Sequence, residues 1–341
     1  MALESTRTRW MRRAVTVPGM FIATGLAWVL LPLALLIAAI ADTVTDRRGR
    51  FLRFSAFGLA YLNAECVGLI AAGALFLVRP VIGAERYARA NFALEAAWST
   101  ALLRAGMALL GMTVEFVEEA VPGDRPLLVF CRHASLVDSL VPGAFLSWRH
   151  GTRLRYVMKR ELLYDPCLDI VGQRIPNAFV QRDQGTGDVQ VQAMRELAAD
   201  LGPGDGVLVF PEGTRFTEAK RTRALDRVRA GDDPIRAARA EALRHLLPIR
   251  SRGSVGLLEA GEGADILFMA HRGFEGGATL GGILAGALIG RHVEIATWRV
   301  DAADVPTTRA TRLAWLDAEW ARMDQWLDNR MHATTPSQEG P

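Results

Sequence analysis

The chain has 341 residues, enough for one large domain or two small ones, and half of them are hydrophobic. Its formal net charge of +3 is too small to indicate a nucleic-acid partner. The three cysteines, Cys66, Cys131 and Cys167, lack the spacing of a metal site or a disulfide framework, which fits a reducing compartment.

Two apolar runs near the N-terminus predict a membrane anchor. Residues 19–41 carry no charge, and a helix of about 20 apolar residues spans the hydrocarbon core. A basic stretch precedes this run, as in a signal peptide, but the run is longer than such segments usually are, so we expect it to be retained. The second run, 54–78, contains Asn63 and Glu65. Because a lone carboxylate is costly in lipid, we expect Glu65 to face the partner helix, or the segment to lie shallow.

The arginines around these runs leave the topology open. Arg79, Arg86 and Arg89 follow the second run and favour a cytoplasmic location for the domain after it. The loop between the runs, DRRGRFLR, is also basic, which conflicts with a simple transmembrane hairpin. Two spans and a monotopic hairpin in one leaflet both remain possible. We expect a cell-membrane protein with an anchor at 1–85, a catalytic domain at 86–329 on the cytoplasmic face, and a disordered tail at 330–341.

From about residue 90 the pattern is that of an α/β protein. Apolar strand patterns alternate with amphipathic helical ones, which predicts a mostly parallel sheet flanked by helices. The predicted strands are MTVEFVE (112–118) and residues 126–130, 154–158, 178–181, 206–210, 264–270 and 292–298. The predicted helices are 90–110, 135–147, 187–201, 218–229, 233–246 and 307–329. The glycine-rich run 276–290 is short for a membrane span, and we expect it to be buried or interfacial.

The stretch CRHASLVDSL (131–140) places His133 and Asp138 directly after a predicted strand. In α/β proteins with a parallel sheet, the ligand-binding site usually lies at the carboxyl ends of the strands. If a helix begins near Ser135, Asp138 lies in its first turns and can reach one imidazole nitrogen. The other nitrogen is then free to accept a proton from a hydroxyl. A polar turn with Ser135 as a helix cap explains the same residues without chemistry.

Two further charged turns follow strands. FPEGTR (210–215) has Glu212 and Arg215 near the same sheet edge, and backbone N–H groups around Gly213 could receive an anion. In NAFVQRD (177–183), Arg182 is placed to hold a phosphate by a forked contact. Each turn taken alone is equally consistent with ordinary surface charges.

Together these stretches resemble the glycerolipid acyltransferase family, whose best-known members are the PlsC-type lysophosphatidic acid acyltransferases. The resemblance covers roughly residues 90–300. His133 and Asp138 match the family's H-x4-D block, and FPEGTR matches its block at every position. FVQR (179–182), MKREL (158–162) and the segment Leu247-Pro248-Ile249 are similar to three weaker blocks, and residues 244–260 somewhat resemble the lysocardiolipin acyltransferase branch.

The resemblance implies transfer of a fatty acyl group from acyl-CoA or acyl carrier protein to the hydroxyl of a lysophospholipid, with lysophosphatidic acid giving phosphatidic acid as the first choice. It implies that His133 is the base and Asp138 its orienting acid. It assigns acceptor binding to Arg182 and to the turn residues Glu212, Gly213, Thr214 and Arg215. Lys159 could add positive charge, and Pro248 could line an acyl channel, although a core proline explains it equally well. The resemblance implies no metal and no cofactor; the partners are both substrates and membrane lipid.

Two departures from the family pattern bear on the acceptor. Arg132 stands where an asparagine is frequent, and Pro176 stands where a glycine is usual. Another lysophospholipid or a glycolipid acceptor, a transacylase, and a non-catalytic lipid-binding protein on the same scaffold therefore remain alternatives. The other five histidines show no partner spacing and are expected to be structural or surface groups.

Overall fold

The computed structural model describes residues 4–45, 49–180 and 187–332. Two long helices come first: α1 (Thr6–Thr45) and α2 (Arg50–Leu110). Gly83 has a non-helical backbone (φ 77°, ψ 168°) shortly after Pro80. It divides α2 into a first leg, residues 50–82, and a second leg, residues 84–110. The apolar runs predicted at 19–41 and 54–78 lie within α1 and the first leg. By length and composition both helices could cross a membrane, a test that a core helix or a signal sequence also passes.

Polar contacts join α1 to the first leg of α2. Thr24 Oγ1 lies 3.1 Å from Cys66 Sγ, and Trp28 Nε1 donates to Asn63 Oδ1 at 3.2 Å. Glu65 is fully buried, but it faces the second leg and the next domain: it accepts hydrogen bonds from Trp98 Nε1 and from the Cys167 N–H. The prediction that Glu65 faces the partner helix α1 was therefore wrong, because its hydrogen-bond partners Trp98 and Cys167 lie elsewhere.

Within the described residues, seven strands form one sheet in the order β1-β7-β6-β2-β5-β3-β4. The strands are β1 (Thr113–Glu118), β2 (Leu127–Cys131), β3 (Arg153–Lys159), β4 (Ala178–Val180), β5 (Asp205–Val209), β6 (Asp265–Arg272) and β7 (His292–Val300). All neighbours are parallel except β6 and β7, which are antiparallel. This arrangement confirms the predicted α/β class with a mostly parallel sheet.

Helices cover both faces of the sheet. They are α3 (Leu140–Pro142), α4 (Pro166–Gly172), α5 (Gly187–Ala198), α6 (Glu218–Arg229), α7 (Pro234–Ala242), α8 (Ser251–Ala260), α9 (Leu280–Leu284) and α10 (Arg309–His332). Alternate strand residues pack on opposite faces, as the pleat requires. Phe130 and Phe268 pack in a core with Trp320 of α10, whereas Val129 and Leu267 pack in a second core with Phe145.

The predicted helix at 135–147 was wrong at its start. The helix begins at Leu140 and continues as a π-helix over Gly143–Arg149. Asp138 precedes the helix, and its carboxylate accepts hydrogen bonds from the N–H groups of Ala134 and Ser135. A side chain that bonds the backbone in this way stabilises a turn in competition with a helix. The result is a closed turn directly after β2.

Candidate active site

The turn after β2 joins the imidazole of His133 to the carboxylate of Asp138. His133 Nδ1 lies 3.0 Å from Asp138 Oδ1. Asp138 Oδ2 accepts from Ala134 N at 2.6 Å and from Ser135 N at 2.7 Å, so the carboxylate cannot rotate freely. Asp138 is fully buried, while the His133 side chain is 17% exposed. This geometry fixes the imidazole and leaves Nε2 as the nitrogen that can take a proton.

The turn after β5 supports His133 from two sides. The ring of Phe210 stacks on the imidazole, with centroids 4.2 Å apart. Glu212 Oε1 accepts from the backbone N–H of His133 at 2.9 Å, and Oε2 accepts from the N–H of Leu247 at 3.1 Å. Glu212 therefore braces three segments: its own turn, the His133 turn, and the segment that leads into α8.

The two carboxylates differ in protonation. Burial alone would raise the pKa of Asp138, but the nearby His133 and the backbone donors outweigh it and lower that pKa. Burial raises the pKa of Glu212 to about 8, although the N–H groups of His133 and Leu247 favour the charged form. Asp138 therefore carries a charge near neutral pH, and Glu212 is largely neutral there.

Among the five histidines expected to be structural or surface groups, His271, the penultimate residue of β6, lies next to the His133 turn. His271 is fully buried, and Nε2 lies 2.9 Å from the Arg132 carbonyl and 3.6 Å from Asp138 Oδ2. Arg132 is also buried; Nη1 donates to the carbonyl of His271 at 2.5 Å and to Glu275 Oε1 at 2.6 Å. Only the pairing of β2 with β6 brings these residues together. The one sequence cue was a histidine ending the otherwise apolar run ILFMAH (266–271).

Arginines surround the turn of residues 210–215. Nη1 of Arg215 is buried and has no hydrogen-bond partner among the described residues. Gly213 has φ +69°, and a Cβ there would lie 2.3 Å from Nε of Arg250, so glycine lets the Arg250 side chain cross this turn. Partial burial and the nearby Arg227 lower the pKa of Arg250. Arg250 was missed because its proximity to Gly213 is a tertiary contact.

The backbone N–H of Gly213 is not available to an anion, because it donates to the Phe210 carbonyl at 2.8 Å. Thr214 is half-buried in the same turn.

The other predicted substrate-binding residues lie outside this turn. Lys159 is half-buried at the carboxyl end of β3, which is the same end of the parallel strands as His133. Pro248 is buried beside a small cavity that Arg236 and Asp317 also line. Arg182 lies outside the described residues.

The geometry suits proton transfer to His133 with an anionic group bound nearby. A fixed base whose second nitrogen is held by a buried carboxylate can deprotonate a hydroxyl. Among the described residues, no group of three or more His, Cys, Asp or Glu is placed to hold a metal ion.

Residues 113–251 match the family model described as Acyltransferase. This region is an acyltransferase-family domain. The match contains the turns of His133 and Glu212 and confirms the resemblance predicted from the motifs. No curated protein gives a significant match to the chain. Among solved structures, the 1-acyl-sn-glycerophosphate (LPA) acyltransferase PlsC from Thermotoga maritima is similar, with a TM-score of 0.49 and 16% identity over 85% of this chain and 98% of that chain.

Proposed function

We propose that the protein transfers a fatty acyl group from acyl-CoA or acyl carrier protein to the free hydroxyl of a lysophospholipid. Lysophosphatidic acid, giving phosphatidic acid, is the first candidate acceptor. The observation that carries the proposal is the 3.0 Å contact between His133 Nδ1 and Asp138 Oδ1 inside an acyltransferase-family domain. Two arginines at the turn of residues 210–215, Arg215 and Arg250, suit an acceptor that carries a phosphate.

In this mechanism the acceptor hydroxyl is the nucleophile. Nε2 of His133 takes its proton while the hydroxyl oxygen attacks the thioester carbonyl, and Asp138 stabilises the resulting imidazolium. The tetrahedral intermediate then collapses, and the carbon–sulfur bond breaks. The departing thiolate takes the proton from His133, so the products are the acylated lipid and a free thiol. Glu212 acts on this reaction by holding the backbone of His133 in place.

The test is acyl transfer by the purified full chain in detergent, with labelled oleoyl-CoA and a panel of lysophospholipids. We expect His133→Ala to lower turnover by about 10²- to 10⁴-fold, the usual contribution of a general base. His332→Ala, which changes an exposed histidine at the end of α10, is the matched control and should keep full activity. Equal transfer by wild type and His133→Ala would refute the mechanism. If wild type does not use acyl-CoA, acyl carrier protein is tested as the donor, and inactivity with both donors would refute the function.

We further propose that the protein lies at the cytoplasmic face of the cell membrane, with the α1–α2 hairpin seated in one leaflet. Both ends of the hairpin contact the α/β part of the chain that follows it. At one end Arg13 binds the buried Asp169 of α4, and at the other end Arg50 donates to the carbonyl of Ala285. A helix advances about 1.5 Å per residue, so these ends are about 45 Å apart along α1. A hairpin that crossed the bilayer would carry its far end about 30 Å away from a domain on one side.

Labelling of Thr45→Cys at the exposed hairpin end tests the orientation. In right-side-out vesicles, a membrane-impermeant maleimide should not react with this cysteine until the vesicles are opened. Reaction in sealed vesicles would indicate two spans and would contradict the one-leaflet arrangement.

A further inference from the structure

A glycine-rich loop, residues 276–290, packs against the turn that carries His133. It follows β6 and contains no charged residue. The carbonyl of Gly277 accepts from the N–H of Leu136 at 3.0 Å and from Ser135 Oγ at 3.1 Å. A Cβ on Gly277 would lie only 2.3 Å from Ser135 Oγ. The close approach requires glycine at this position, and the loop is thereby joined to the same turn that holds Asp138.

The loop has a defined shape with an apolar tip. Thr279 caps the short helix α9 by accepting from the N–H of Gly282 at 3.1 Å. Ile283 and Leu288 point into the protein core, whereas Leu280 and Leu284 are 63% and 49% exposed. The fold thus buries some apolar side chains of the loop and holds others outward.

The loop adjoins the end of the α1–α2 hairpin, where α1 exposes Ile40 and Val44. Arg50, at the start of α2, donates to the carbonyl of Ala285 at 3.3 Å, and the N–H of Gly290 donates to the carbonyl of Leu110 at 2.9 Å. On its other side lies Leu136, which is 41% exposed and three residues after His133. Arg291 directly follows the loop and is exposed. The loop therefore presents leucines with cations at the margin, the pattern of a surface that enters the interface of an anionic bilayer.

We propose that Leu280 and Leu284, with Leu136, insert into the surface of a phospholipid bilayer. The occupant is lipid because the loop adjoins the hairpin end where Ile40 and Val44 are exposed, and because Arg50 and Arg291 complement acidic headgroups. The inference rests on the proposed function in taking the acceptor to be a membrane lipid. Insertion places the His133 turn at headgroup depth, so a lysophospholipid reaches the base by lateral movement without leaving the membrane.

Site-specific fluorescence tests the insertion without relying on activity. The three native cysteines are buried, so Leu280→Cys provides one reactive thiol on the full chain for an environment-sensitive fluorophore. The labelled protein is reconstituted in phosphatidylcholine–phosphatidylglycerol vesicles whose acyl chains carry bromine quenchers. Val121→Cys is the matched control, because Val121 is 51% exposed in the connection from β1 to β2, which lies at the opposite end of the strands from the β6–β7 loop.

We expect bromolipid to quench the probe at 280 at least threefold more than the probe at 121. Equal quenching at the two sites would overturn the proposal. A probe at 280 that is shielded only as protein concentration rises, without lipid quenching, would identify a second copy of the chain as the occupant and would also overturn it. Because quenching needs no turnover, its result is independent of whether the proposed function holds.

A kinetic comparison examines the consequence for catalysis. In the double variant Leu280→Glu, Leu284→Glu, transfer to a lysophospholipid embedded in vesicles should fall by about tenfold. Transfer to a short-chain acceptor dissolved as monomers should be unchanged. Val121→Glu should affect neither reaction. An equal loss with both acceptors would show that the charges disturb the active site itself and would contradict the role in membrane seating.

Discussion

Two buried carboxylates flank His133, and they differ in both what they bind and how they titrate. Asp138 faces the imidazole ring and binds Nδ1 together with two N–H groups of its own turn. Glu212 faces the backbone of His133 and binds the N–H groups of two separate segments. Opposite charge and local donors lower the pKa of Asp138, whereas burial raises that of Glu212. Similar burial therefore yields a charged group on one side of the histidine and a largely neutral group on the other.

We infer that Asp138 supports proton transfer at the imidazole, whereas Glu212 holds the turn of His133 in position. A negative charge beside Nδ1 stabilises the imidazolium that forms when Nε2 takes a proton. A neutral carboxyl between backbone N–H groups adds little field at the ring, but it fixes the position of the turn. Substitutions at the two positions should therefore affect activity and stability in different proportions.

The largest effect is expected from Asp138→Asn. The amide keeps the size of the side chain but removes the charge that stabilises the imidazolium, and it can hold the imidazole in the wrong tautomer. Turnover in the thioester assay should fall by about 10²- to 10⁴-fold. The control Asp301→Asn changes an exposed carboxylate that pairs with Arg299, and it should have no effect. Turnover of Asp138→Asn within threefold of wild type would remove the proposed catalytic role of this charge.

A smaller effect on turnover is expected from Glu212→Gln, because the native group is already largely neutral near pH 7. The amide oxygen can accept from the N–H of His133 or of Leu247, but the NH₂ group then opposes the other donor. One unsatisfied buried donor costs about 1–3 kcal/mol. We expect turnover to fall by about tenfold or less and the thermal midpoint to fall by several degrees. A loss of turnover as large as that of Asp138→Asn, with an unchanged midpoint, would contradict the bracing role.

The sequence predicted Asp138 and Glu212 as site residues because each follows an apolar strand within a short recognisable motif. The strand patterns were equally informative, since the parallel core consists of apolar runs bounded by turns. What the sequence could not supply were contacts between distant segments. His271 and Arg132 meet only because β6 pairs with β2, and Arg250 crosses Gly213 only because the segment before α8 packs on the turn after β5. The start of α3 was misplaced because the Asp138 carboxylate closes a turn with the N–H groups of Ala134 and Ser135, and the helix begins only after that turn, at Leu140.

The pH dependence of stability gives the smallest effect, and it sharpens the comparison because the two carboxylates have opposite signs. The pKa of Asp138 is below its ordinary 3.8, so its stabilisation is present above that value and is lost as pH falls through the lower folded-state value. The pKa of Glu212 is raised from 4.5 to about 8, so its stabilisation is present below 4.5 and is lost as pH rises towards 8.

Thermal midpoints of wild type, Asp138→Asn and Glu212→Gln at pH 5 and pH 8.5 measure the pH dependence of both contributions. The advantage of wild type over Glu212→Gln should shrink at the higher pH, because the native carboxyl then carries a charge that burial disfavours. The advantage over Asp138→Asn should be the same at both values, because the native carboxylate is ionised throughout. If both stability advantages changed in the same direction with pH, the two carboxylates would not differ in protonation. The distinction between Asp138, which supports the base, and Glu212, which holds the backbone, would then fail.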